Sequence, residues 1–218
     1  INLGCSDKSV SGRGAGAGLL STPHLIAEIF KKLSAALEVP VTGKMRLGWD
    51  AGSRNYLEVA KIIEDNGGAL IAVHGRTKQQ GYRGEADWEA IAEVCRAVKV
   101  PVIGNGDVRS VADIERLKSY TGCQAVMIGR GAIGNPWIFS RLDREQVPPA
   151  QVHATMLLHL QRMLDFHGEW RGLLVFRKHT ERYLASYAVP HDLRRRLLTS
   201  ASVEAYRQDL EQVFGGIG

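Results

Sequence analysis

Cysteine is scarce: Cys5, Cys95 and Cys123 are the only three in 218 residues, with no CxxC pair, which excludes a disulfide framework and a zinc ribbon. No apolar run approaches the ~18–20 residues a membrane helix requires, and the N-terminus lacks the basic-then-apolar order of a signal peptide. A cytoplasmic protein without a membrane partner is expected. Nucleotide fingerprints are missing too. Gly14-Ala15-Gly16-Ala17-Gly18 has the wrong spacing for a dinucleotide-binding turn, and no GK[ST] phosphate loop occurs. Nothing suggests a metal site, and a monomer is the expectation.

What is present is ordinary globular composition, 44% apolar and 23% charged. The net charge of +5 lies in one stretch, where Arg171, Arg177, Lys178, Arg182, Arg194, Arg195 and Arg196 face only Glu181 and Asp192. The rest of the chain is neutral. A basic patch of this kind suits a polyanionic partner, although a solvated helical face would look the same.

Short β-rich runs bounded by turn residues fall at 1–3, 41–47, 69–73, 100–103 and 125–128. Helical periodicity fills the gaps at 23–37, 56–66, 88–98 and 111–120. This βαβα alternation predicts a parallel α/β sheet, either doubly wound or a (β/α)8 TIM barrel. Every strand ends on chemically capable residues: Asn2 and Cys5, Lys44 and Arg46, His74 and Arg76, Asn105 and Asp107, Gly129 and Arg130. A barrel brings all strand C-termini to one mouth, so the barrel is favoured, with about five of its eight βα units present. Ile1-Asn2-Leu3 reads as the end of a buried strand, and some three units, about 90 residues, are expected upstream. Residues 1–142 are assigned to the partial barrel. After a Pro148-Pro149 linker, helices at 151–166, 171–187, 192–198 and 203–214 form a small all-helical domain, 150–218.

Glycines at 104, 106, 129 and 131, beside Asn105, Asp107 and Arg130, make a natural phosphate site, for a nucleotide cofactor or a phosphorylated substrate. Lys44 and Arg46 alternate with Met45, so both point to one side. His74 can donate to a ring carbonyl or nitrogen. The Cys5 thiol can act as a proton donor or as a nucleophile. Cys95 and Cys123 read as packing.

The motifs Asn2-Leu3-Gly4-Cys5-x-x-Lys8, Gly14-Ala15-Gly16, Lys44-x-Arg46-x-Gly48-Trp49, His74-Gly75-Arg76-Thr77, Asn105-Gly106-Asp107 and Ile128-Gly129-Arg130 resemble those of the tRNA-dihydrouridine synthase family, nearest its bacterial B-type branch. The resemblance runs essentially from residue 1 to the end. It implies an FMN-containing barrel with a helical tRNA-binding domain, reducing uridine in tRNA to 5,6-dihydrouridine with NADPH as reductant. By resemblance, Cys5 is the proton donor to uracil C5. Asn2, Arg46 and Arg76 line the substrate side. Lys44 and His74 meet the flavin ring, and Asn105, Gly106, Asp107, Gly129 and Arg130 hold its phosphate. Arg171, Arg177, Lys178 and Arg182 are the expected RNA contacts. Ser6 departs from the proline the family usually places after the cysteine. An FMN barrel acting on a small molecule would share the phosphate loops but not the basic helices, and a non-catalytic RNA-binding protein would not need Cys5, Lys44, Arg46 and His74.

With three strands missing, the sheet would have raw edges. This chain by itself is therefore expected to bind FMN poorly. Recovery of soluble, stoichiometrically yellow protein would overturn that expectation.

Overall fold

A computed structural model describes residues 1–216 and divides into two compact units, Ile1–Gly129 and Arg130 onward. The first unit contains five parallel strands, β1 (Asn2–Leu3), β2 (Thr42–Arg46), β3 (Leu70–His74), β4 (Val102–Asn105) and β5 (Ala125–Met127). They pair in chain order, β1-β2-β3-β4-β5. A doubly wound sheet reverses its strand order at a switch point. This sheet shows no reversal.

The single-turn α1 (Lys8–Ser11) and a 3-10 turn, Gly16–Ser21, follow β1. The crossovers are α2 (Pro23–Ala36), α3 (Tyr56–Asp65), α4 (Trp88–Ala97) and α5 (Val111–Thr121). Their ends follow local chemistry. Pro23 opens α2, Asp87 caps α4 by accepting from Ala90 N–H, and a Ser110–Asp113 capping box starts α5. Helix α5 stops at Gly122, in the left-handed conformation at φ 72°.

Alternate strand residues face the helices, among them Met45, Ile71, Val73 and Val102, all essentially buried. Two of these positions are glycine because the helices press close. A Cβ on Gly43 would sit 3.0 Å from Ile63 Cδ1 and 3.1 Å from Phe30 Cζ, and one on Gly104 would sit 3.0 Å from both Leu117 Cδ2 and Cys123 Sγ. Cys123 is buried, and burial pushes the half-buried Cys95 thiol up to about 11, so both behave as packing residues.

The second compact unit begins at Arg130. Trp137 and Val147 belong to the helical core, with Val152, Met156 and Leu160 of α6 (Pro149–His167) and Leu173, Phe176 and Tyr183 of α7 (Glu169–Tyr183). Pro149 is the first residue of α6 and not a linker, since proline suits the first helical turn. Helices α8 (His191–Thr199) and α9 (Val203–Gly215) complete the core with Leu197, Tyr206 and Leu210. A buried hydrogen bond of 2.6 Å joins the Thr180 and Tyr206 hydroxyls. Among the described residues, no helix is long and apolar enough to cross a membrane, and no three His, Cys, Asp or Glu side chains could together hold a metal ion.

Substituting Gly43→Val should destabilise the first unit by about 1–3 kcal/mol, because Phe30 and Ile63 must leave their packed positions. Chemical denaturation would show this as a lower midpoint with an unchanged slope.

Candidate functional site

Strand register assembles the site. Asn2 pairs with Lys44, and one step on, Arg46, His74, Asn105 and Met127 align across β2, β3, β4 and β5. Because side chains alternate, Asn2, Lys44, Arg46, His74 and Asn105 share the face opposite the helices, at the C-terminal ends of their strands. Residues far apart in the chain thereby become neighbours.

Cys5 is fixed through its backbone. Asn2 Oδ1 accepts from the N–H groups of Gly4 (2.9 Å) and Cys5 (3.0 Å), while Arg46 Nε donates to the Gly4 carbonyl at 2.9 Å. The Cys5 carbonyl accepts from Ala17 N–H at 3.0 Å. Gly16 stands at φ 55°, where a Cβ would lie 2.8 Å from Cys5 Cβ, so glycine is required for this close approach. The thiol is half-buried. Asn2, expected to line the substrate side, also builds the turn that presents Cys5.

Both arginines expected on the substrate side are buried. Arg46 is only 4% exposed; besides Gly4 it donates through Nη1 to the carbonyls of Thr77 (2.9 Å) and Gly81 (3.0 Å). Arg76 is 1% exposed, so it does not form an open wall. Its Nε donates to Arg83 O at 3.3 Å, and its Nη2 donates to Gly84 O at 2.5 Å and to the Asp107 carboxylate at 2.6 Å and 2.9 Å. Asp107, expected at a phosphate, turns its carboxylate to Arg76 and to Ala86 N–H (2.7 Å). A carboxylate would repel a phosphate, and here it neutralises a buried cation. Burial alone would raise its pKa, but the Ala86 N–H and the Arg76 guanidinium outweigh that and hold it below the usual carboxylate range.

Lys44 is half-buried, and its ammonium has no hydrogen-bond acceptor among the described residues. Burial, then the charge of Arg46, lowers its basicity. His74 is buried, and its pKa falls to about 3, mainly through desolvation and then through Arg46, Lys44 and Arg76, against the opposing charge of Asp107. It is a neutral imidazole at physiological pH. Asn105 Nδ2 donates to Met127 O at 2.7 Å, tying β4 to β5. Gly106, at φ 132°, lies under the His74 ring, where a Cβ would stand 3.3 Å from His74 Cδ2. A Cβ on Gly129 would meet nothing within 4 Å. Arg130 opens a 3-10 turn, Arg130–Ala132, in the second unit.

Tyr82 escaped the sequence reading. It is 61% exposed, its ring centroid 6.4 Å from that of His74 and 6.0 Å from the Arg46 guanidinium. The only sequence signal was an aromatic residue between Gly81 and Gly84 in the loop after His74-Gly75-Arg76-Thr77. Both of those glycines have φ 60°.

In the helical unit, Arg171, Lys178 and Arg182 are exposed along α7. Arg177 is half-buried and donates to Ser200 O at 3.0 Å. Arg194 pairs with Glu181 at 2.7 Å and Arg196 with Asp209 at 2.8 Å, so part of the basic stretch is neutralised internally.

A sequence profile of the dihydrouridine synthase (Dus) family matches residues 1–215. The tRNA-dihydrouridine synthase B of Vibrio parahaemolyticus is 39% identical over 223 residues, covering 99% of this chain and 68% of the relative. Those of Pseudomonas aeruginosa (39% over 222 residues, 98% of this chain and 67% of the relative) and Shewanella oneidensis (41% over 192 residues, 84% and 60%) are similarly close. Among solved structures, a mandelate oxidase mutant with (S)-mandelic acid matches at 17% identity with a TM-score of 0.33, covering 86% of this chain and 59% of its own. With a family profile spanning nearly all of the chain, and relatives of about two-fifths identity along it, this protein belongs to the dihydrouridine synthase family.

Proposed function

We propose that this chain carries the catalytic face of a tRNA-dihydrouridine synthase, reducing uridine in tRNA to 5,6-dihydrouridine with FMN and NADPH, within a (β/α)8 barrel of which the five-stranded sheet is one part. The observation that carries this is the register that pairs Asn2, three residues before Cys5, with Lys44, and Arg46 with His74, at neighbouring strand ends. A flavin fits the residues present. The half-buried Lys44 ammonium lacks an acceptor among the described residues, Arg76 Nη1 is buried without a partner, and a Cβ on Gly129 would meet only open space. A buried cation in that condition is stabilised by an electron-rich ring or an anion.

Reduced flavin, when bound, supplies a hydride for uracil C6. The chain's own residues do the rest. Cys5 holds a proton on Sγ for uracil C5, and its turn, fixed by Asn2, Arg46 and Gly16, sets where that proton is offered. His74, kept neutral, donates or accepts a hydrogen bond without adding charge. Lys44 would meet the flavin ring, and Asn105, Gly106 and Gly129 would hold its phosphate. Arg171, Arg177, Lys178 and Arg182 attract the RNA backbone, while the target uridine leaves its stack to reach Cys5.

Cys5→Ala should lower dihydrouridine formation by about 10²- to 10⁴-fold while leaving tRNA affinity within about twofold. Mass spectrometry of tRNA nucleosides, with filter binding in parallel, checks both. Undiminished dihydrouridine would remove Cys5 from the mechanism.

Because the folded-state pKa of His74 is depressed, its stabilising contribution is complete above its unfolded value of 6.5 and is lost as pH falls toward about 3. Between about pH 6.5 and 5 the loss should reach about 2 kcal/mol, and His74→Gln should flatten that limb. Denaturation midpoints across this range measure it.

A further inference from the structure

The loop after β3 has two sides. One presents Tyr82 to His74 and Arg46; the other forms, with the loop after β2, an open cleft of about 280 Å³ lined by Ala51, Arg54, Thr77, Gln79, Gln80 and Arg83. We infer that this cleft binds a phosphate oxyanion, most naturally the RNA backbone phosphate beside the extruded nucleotide.

Its polar lining consists of two guanidiniums, two carboxamides and a hydroxyl, with no carboxylate. Arg83 is exposed, donates to Gln79 O at 2.8 Å and has no carboxylate partner among the described residues. Arg54 shares one nitrogen with Asp87 at 2.6 Å, while Asp87 also caps α4. Gln80 Oε1 accepts from Thr77 N–H at 2.8 Å, leaving its Nε2 as the end available to a ligand. Asp50, the acid that precedes Ala51, has its Oδ1 engaged by Gly52 N–H and the Ser53 hydroxyl.

The cleft is pre-organised. Lys78 and Gln79 N–H groups donate to Gly48 and Trp49 carbonyls, both at 2.9 Å, joining the two loops. Underneath, Arg46 holds the Thr77 and Gly81 carbonyls and Arg76 those of Arg83 and Gly84. A loop held at four carbonyls presents its donors at little ordering cost. Being open, the cleft admits a diester passing through, and Arg83 follows Tyr82 directly in sequence. The RNA assignment rests on the proposed function; the phosphate assignment does not.

The test uses the purified protein, Arg83→Gln, and Arg96→Gln as a control of equal charge change on an exposed face of α4. Inorganic phosphate should protect Arg83 from phenylglyoxal, read by peptide mass spectrometry. Arg83→Gln should weaken tRNA binding about fivefold to tenfold and reduce the slope of log K against log salt by about one, with Arg96→Gln unchanged. If Arg83→Gln instead weakens NADPH binding and leaves tRNA untouched, the oxyanion site stands and its ligand is the reductant's phosphate. Absence of protection, or protection with neither ligand affected (an adventitious ion only), overturns the inference. A protein that holds FMN yet makes no dihydrouridine, and that loses tRNA affinity on Arg83→Gln, would sink the proposed function and leave the cleft standing.

Discussion

The pairing of the buried Arg76 with the half-buried Asp107 governs how this sheet presents its strand ends. Arg76 is essentially inaccessible, and Asp107 holds a left-handed backbone at φ 57°, a conformation that aspartate adopts at a cost. The pair joins the end of β3 to the end of β4, and the donors left over reach up to the Arg83 and Gly84 carbonyls. Breaking such a pair from one side leaves an uncompensated charge and costs about 3–5 kcal/mol. Arg46 does the same without an acid, placing its guanidinium among the carbonyls of Gly4, Thr77 and Gly81. The loops of the mouth are thus held from below by cations.

That arrangement sets the electrostatics above it. Three cations crowd His74, and with burial they keep its imidazole neutral. The same field meets Lys44, whose ammonium has no acceptor among the described residues. A set of strand ends so rich in positive charge is complementary to an electron-rich ring or an anion. Cys5 is held at the edge of this field by three independent main-chain contacts, which explains how Ser6 can stand where the family usually carries proline. The turn is fixed by Asn2, Arg46 and the Gly16-Ala17 segment and does not depend on a rigid residue after the cysteine.

The sequence made the element order legible because each strand and helix has a strong period and clear stops: Pro23 and Ser110 at helix starts, Gly122 at a stop, and apolar runs between. Observed ends fall within a few residues of those expected. It also exposed which strand ends carry chemistry, since polar residues closing apolar strands stand out. The roles of Arg76 and Asp107 were not legible, because their pairing spans 31 residues and depends on an unusual backbone conformation at Asp107. Tyr82 was missed because a loop aromatic has no period to announce it. That Trp137 and Val147 join the helical core was not legible either, since they do so only through packing.

The sequence alone determined the βα alternation, the helical C-terminal unit, the family and the set of groups available for chemistry, because periodicity and motif are local properties of a chain. Only the tertiary structure decided which of those groups face the site and which are consumed beneath it. Register aligned Arg46, His74 and Asn105 in one row, while burial set the guanidiniums of Arg46 and Arg76 among main-chain carbonyls. The reason is physical: a charge removed from water must find its partner in three dimensions, and neither the partner nor the desolvation can be read along one.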